Sequence, residues 1–315
     1  MDQRIHYFGG LMENTECSEG FCGIGQWEGV AEVFDGQGRF LGNGADQRHV
    51  RTQTSDGRIR IDLSFVGPLK FAGHYFIQSE NDRRLYQGPA NCGYADALGA
   101  DCVAAHCYWP STGLSQKFFL MLAPDGQRQM SLALLSRGEQ LLYVVVGENA
   151  KVVGGRVEDV IPIVNGGTYD LGQDPQAGRP QHLLHREGYW EGEMRSQIDG
   201  PSSVHAVRQS LSKAGEALDV SWEGSAFIEG QMATKLKTNA WQAWSDFGDS
   251  VGSYSLYGGR ALSGQFHHLP SQRRVWRREV VSADGQLKAA VNIWYQGERK
   301  LGAEWGILKF RSTDV

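Results

Sequence analysis

The chain has 315 residues, 41% hydrophobic and 21% charged: enough apolar material for two ordinary domains, and too much for a disordered protein. A formal net charge of -5 argues against the basic stripe that nucleic-acid binding requires, so no nucleic-acid partner is expected. The 41 glycines against 9 prolines fit many tight turns between short strands.

Met1-Asp2-Gln3-Arg4 opens no apolar segment, so a cytoplasmic chain without a secretory signal is expected. No apolar run reaches membrane-spanning length, and the longest, Leu141 to Val146, has the length of a strand. Asp-Gly pairs at Asp35-Gly36, Asp56-Gly57, Asp125-Gly126 and Asp284-Gly285 each separate two strand-like runs, the strongest local hairpin signal. Phe118–Met121 and Met130–Leu135 flank one such turn, and Val275–Ser282 and Leu287–Tyr295 flank another. The arginine clusters Arg83-Arg84, Arg273-Arg274 and Arg277-Arg278 read as solvated strand faces.

The late hairpins resemble each other, and the likeness extends along the chain. Gly25-Gln26-Trp27-Glu28-Gly29 matches Gly188-Tyr189-Trp190-Glu191-Gly192, and Asp62 to Gly67 matches Asp219 to Gly224. Tyr94 matches Tyr254, Pro110-Ser111 matches Pro270-Ser271, and Asp125-Gly126-Gln127 matches Asp284-Gly285-Gln286. The matches keep one order at offsets of about 157 to 163 residues, too long for a solenoid, so each copy is a domain. The division expected is 1–160, a linker at 161–186, and 187–315. Eight to ten short strands per copy suit an all-β fold of two antiparallel up-and-down barrels.

Gly25-Gln26-Trp27 and Gly188-Tyr189-Trp190 resemble the Gly-x-Trp signature of lipocalins and the wider calycins. The resemblance implies that Trp27 and Trp190 are structural plugs, each under an arginine from a late strand, with Arg137 and Arg299 as candidates. The tandem arrangement also resembles the uncharacterised lipocalin-like proteins of cyanobacteria. Two-barrel calycins include cofactor-free cyclases, so the resemblance implies a ligand-holding fold that needs no cofactor.

The copies diverge in chemistry. All five cysteines, Cys17, Cys22, Cys92, Cys102 and Cys107, lie in the first. The Cys102–Cys107 spacing is wider than structural zinc motifs use, so free thiols and no metal are expected. Seven of the nine tryptophans lie in the second copy, which places the expected ligand pocket there or at the junction between copies. Its expected ligand-binding residues are Trp222, Trp241, Trp244, Phe266 and Trp276, with Tyr94 and Trp109 from the first copy. Tyr254, His267 and His268 are the catalytic candidates, able to polarise a carbonyl or move a proton.

The chain lacks a G-x-S-x-G elbow, a P-loop, an H-E-x-x-H motif and a dinucleotide fingerprint. Three functions remain open. The leading one is binding of a small, mainly apolar molecule, polycyclic or conjugated ones included. The others are a cofactor-independent cyclase or isomerase, and a pigment lyase or assembly chaperone.

Overall fold

The structure, a computed structural model, describes residues 23–52, 57–80, 83–153, 174–177, 182–198, 201–246 and 248–313. The first barrel comprises β1 (Gly25–Asp35), β2 (Phe40–Thr52), β3 (Ile59–Val66), β4 (Lys70–Glu80), β5 (Arg83–Gln87), β6 (Cys92–Ala97), β7 (Cys102–Trp109), β8 (Leu114–Leu122), β9 (Arg128–Arg137) and β10 (Gln140–Lys151). The second comprises β11 (Gly188–Gln197), β12 (Ser203–Ala214), β13 (Ala217–Glu223), β14 (Gln231–Thr238), β15 (Gln242–Ser245), β16 (Ser250–Tyr257), β17 (Ala261–His268), β18 (Arg273–Val281), β19 (Leu287–Gln296) and β20 (Arg299–Arg311). Each strand pairs antiparallel with its sequence neighbours, and the first closes on the last, β1 on β10 and β11 on β20. Among the described residues no helix is long and apolar enough to cross a membrane.

The two late Asp-Gly turns form as their chemistry dictates, while Asp56 of the expected Asp56-Gly57 turn lies outside the described residues. Asp125 Oδ1 accepts the Gln127 amide at 2.9 Å, and Asp284 Oδ1 accepts that of Gln286 at the same distance. Gly126 and Gly285 follow with φ of 67° and 72°, values that favour glycine. Both hairpins lie 159 residues apart, and that offset carries through the neighbouring strands.

At one point the repeat differs from its sequence reading by a single residue. Gly93 (φ 152°) faces Cys107, and Gly252 (φ 154°) faces Phe266. A Cβ at either glycine would lie 2.1 Å from the opposite carbonyl oxygen, so these two are the equivalent positions. Tyr254 therefore corresponds to Ala95 rather than Tyr94, and His268 to Trp109. Because side chains alternate along a strand, the slip turns Tyr94 outward and Tyr254 inward.

The barrels meet along an apolar seam. Outward residues Phe119, Met121, Met130, Leu132 and Val144 pack against Val280, Ala289, Val291, Ile293 and Trp305. Ion pairs rim it: Arg260 reaches Glu32 at 2.7 Å and Glu148 at 3.5 Å, Arg195 reaches Asp101 at 2.7 Å, and Lys300 reaches Asp96 at 2.8 Å. The arginine clusters are less solvated than their sequence suggests. Arg84 is buried and donates to the Gly99 carbonyl at 2.7 Å. Arg277 lies inside the second barrel, and Arg278 is buried at the seam over the rings of Phe119 and Trp276.

Candidate ligand site

Inward positions of the first barrel are set by alternation: Val103, Ala105, Cys107 and Trp109 on β7, and Gln129, Ser131, Ala133 and Leu135 on β9. Several are small, and they leave a cavity of about 80 Å³. One wall is aromatic. Phe65 stacks on Phe71 at 5.1 Å, Phe71 meets Trp109 at 4.9 Å, and Tyr75 lies 5.5 Å from Tyr86. Trp109 Nε1 donates to Gln116 Oε1 at 2.7 Å, which fixes the indole.

The polar groups are few and arranged. Arg48 and Asp46 lie two residues apart on β2 and form a two-bond ion pair, Nε to Oδ1 at 3.1 Å. Burial opposes the Arg48 charge, but Asp46 outweighs it and holds the pKa above its ordinary value. Burial pushes the Cys107 thiol up to about 12 and raises Tyr75 and Tyr86 well above the usual phenol range, so all three are neutral. Gln129, Asn91 and Asn149 are each 2% exposed. Gln129 Oε1 and Asn91 Oδ1 nonetheless have no hydrogen-bond partner among the described residues, nor does Asn149 Nδ2, whose residue is not part of the cavity lining.

The second barrel's interior is filled, with only about 10 Å³ of equivalent space near Tyr254 and Phe266. Where the first barrel has Phe118, Leu120 and Gln129, the second has Arg277, Glu279 and Lys288 at the same offset of 159 residues. Glu279 pairs with Arg277 and, at 3.1 Å, with Lys288, which also donates to Gln209. Burial opposes the Glu279 charge, but Arg277 and Lys288 overcome it and hold the carboxyl at about 2. Burial, with repulsion from Arg277, brings Lys288 down to about 8 despite Glu279. The cations also lie against indoles, Lys288 5.2 Å from Trp190 and Arg277 4.8 Å from Trp222.

Of the expected linker, 174–177 and 182–186 are described. Leu183–His185 forms a single 3-10 turn. Its Leu184 joins the second core, and its buried His185 is hydrogen-bonded to the Tyr254 hydroxyl at 2.8 Å. Leu184 also lines the small space left inside the second barrel, and burial lowers the His185 pKa to about 3.

The sequence-predicted residues scatter. Trp222, Tyr254 and Phe266 share the second core, and Trp109 lines the first barrel's cavity. Trp244 is half-buried and points away from the interior side of Ala243 and Ser245, while Trp241 is 45% exposed. Trp276 lies at the seam, with Lys117 5.1 Å from its ring. Tyr94 stacks on His106 at 5.3 Å outside the first barrel. His267 is exposed, and His268 is buried with Nδ1 2.7 Å from the Ser271 hydroxyl, so the three catalytic candidates do not converge.

Trp27 and Trp190 are fully buried. The cations over them are Lys151 at 5.7 Å from Trp27, and Lys288 at 5.2 Å and Arg186 at 6.0 Å from Trp190, not the expected Arg137 and Arg299. Arg137 instead donates to the Thr112 carbonyl at 3.4 Å, beyond reach of the plug, and Arg299 opens β20 opposite Gln296. Cys92 is exposed while Cys102 and Cys107 are buried, and Cys17 and Cys22 lie outside the described residues. No group of three or more potential metal ligands occurs among the described residues.

Of this cavity's lining the sequence reading names only Trp109 as ligand-binding, because aromatic abundance draws attention to the second copy. The signal was the inward run of small residues on β7 and β9, readable once strand phase is known.

Neither a protein-family model nor any curated protein matches the chain. Among solved structures, a protein of unknown function from the DUF3598 family of Nostoc punctiforme is 12% identical at TM-score 0.57, covering 95% of this chain and 100% of its own. A putative outer membrane protein from Bacteroides fragilis (8% identity, 92% and 100% covered, TM-score 0.24) and a transferrin binding protein B from Neisseria meningitidis (9%, 91% and 76%, TM-score 0.22) are too distant to support an argument. The fold of two tandem ten-stranded barrels is thus shared with a cyanobacterial DUF3598 protein.

Proposed function

We propose that this protein binds a small, mainly apolar molecule inside its first barrel, with the second barrel as a solid support. The observation that carries this reading is the contrast between equivalent interiors, a cavity of about 80 Å³ in one against about 10 Å³ in the other. Apolar side chains dominate the lining, and a few oriented polar groups interrupt it, the usual build of a small-molecule site. Binding rather than turnover is favoured because Tyr254, His267 and His268 do not face a common space.

Native mass spectrometry of the purified protein tests this, together with titration by the neutral fluorescent probe N-phenylnaphthylamine. A bound small molecule, or saturable probe fluorescence, is expected in the wild type and should be lost in Ala105→Phe, whose ring would occupy the cavity. Absence of both from a folded wild type would refute the proposal, as would their persistence in a folded Ala105→Phe.

A further inference from the structure

The cavity's polar groups specify the kind of head group it accepts. Ion-pair formation within the cavity leaves Arg48 already neutralised by Asp46, which two hydrogen bonds hold in place. An anionic ligand would therefore meet a cation whose charge is spent. It would lose its hydration without an equivalent replacement, the costly way to bury a charge.

The groups left unsatisfied are of another kind. Gln129 and Asn91 line the cavity with side chains 98% buried, and their carboxamide oxygens, buried beneath its surface, have no hydrogen-bond partner, although the Asn91 side chain is hydrogen-bonded to the Cys107 thiol. A buried carbonyl oxygen without a donor is a standing cost that a ligand N–H or O–H can remove. A carboxylate offers no donor and would face these oxygens lone pair to lone pair.

Building on the proposed binding role, we infer that the first barrel selects neutral amphiphiles: an apolar body against Phe65, Phe71 and Trp109, and an alcohol or amide donor toward Gln129 or Asn91. Medium-chain alcohols and primary amides have this chemistry, and fatty-acid anions of the same length do not.

Isothermal titration calorimetry with octanol, octanamide and octanoate at pH 8 tests the inference. Octanol and octanamide should bind at least about tenfold more tightly than octanoate, since each unsatisfied or mispaired buried group is worth about that factor. Asp46→Asn frees the Arg48 charge and should shift the preference toward octanoate. Gln129→Leu removes an acceptor without touching the ion pair. It should weaken octanol binding and, by removing a lone-pair repulsion, leave octanoate binding no weaker, and it serves if Asp46→Asn does not fold. Octanoate binding as tightly as octanol in the wild type would overturn the inference while leaving a ligand cavity intact. Binding of none of the three would remove both readings.

Discussion

The charged triad inside the second barrel gives the sharpest test of how these interiors are built. Glu279→Leu leaves Arg277 and Lys288 buried, side by side, without their counter-charge. At 3.1 Å the Lys288–Glu279 attraction alone is about 5 kcal/mol at an effective dielectric near 20. Part of that is recovered as the cations shift or lose protons, so a net loss of about 3–5 kcal/mol is expected, the usual cost of breaking a buried pair from one side. The triple variant Arg277→Phe, Glu279→Leu, Lys288→Gln reproduces the residues of the first barrel and leaves no buried charge unpaired. It should be as stable as the wild type within about 1 kcal/mol, or more stable, because well-packed neutral replacements spare the desolvation of three ions. Urea denaturation followed by far-ultraviolet circular dichroism measures both variants, with unchanged m-values confirming that the transitions are comparable. A single variant within about 1 kcal/mol of wild type, or a triple variant less stable than the single, would refute the reasoning.

Three further outcomes are expected. Trp27→Ala or Trp190→Ala removes a fully buried indole and should cost about 3–5 kcal/mol in urea denaturation; an unchanged midpoint would contradict a structural role. Acid should destabilise the second barrel in two steps of the same sign. His185, depressed to about 3 by burial, stabilises fully above its unfolded value near 6.5 and loses that contribution as pH falls below it; Glu279, held at about 2, does the same below about 4.5. His185→Gln should shrink the stability loss between about pH 6.5 and 4.5 to the smaller part left by His182 and His268, which burial also lowers, and an unaltered profile would exclude His185 as its main source. Native alkylation followed by peptide mass spectrometry should modify Cys92 while sparing buried Cys102 and Cys107, and early labelling of Cys102 would show that the seam opens.

The fold was legible where a local signal recurs. Asp125-Gly126-Gln127 and Asp284-Gly285-Gln286 encode their turns through side-chain acceptance of a nearby amide, which needs no tertiary context. Strand phase was not legible, because Tyr94 and Tyr254 are identical residues one register apart, and only Gly93 and Gly252, packed against the facing carbonyls, reveal the offset. Counting rings misled for the same reason: Trp241, Trp244 and Trp276 lie on strands or turns that point them away from the interior. Buried arginines such as Arg84 and Arg278 were equally invisible, since their burial depends on a barrel from the other copy or a loop carbonyl across the fold.

Alternation along β9 puts the cavity wall and the seam on the same strand. Gln129, Ser131 and Ala133 face the interior, while Met130 and Leu132 face the second barrel. Successive residues are about 3.4 Å apart, so the cavity lining and the joint between barrels are separated by one peptide unit. A freestanding ten-stranded barrel could widen by letting β8 and β9 bow outward. Here their backs are pressed against β18 and β19, so the second barrel holds that side of the first. The close-packed second barrel therefore bears on the strands that line the first barrel's cavity, and under the proposed binding role duplication would divide container and brace between two copies of one fold.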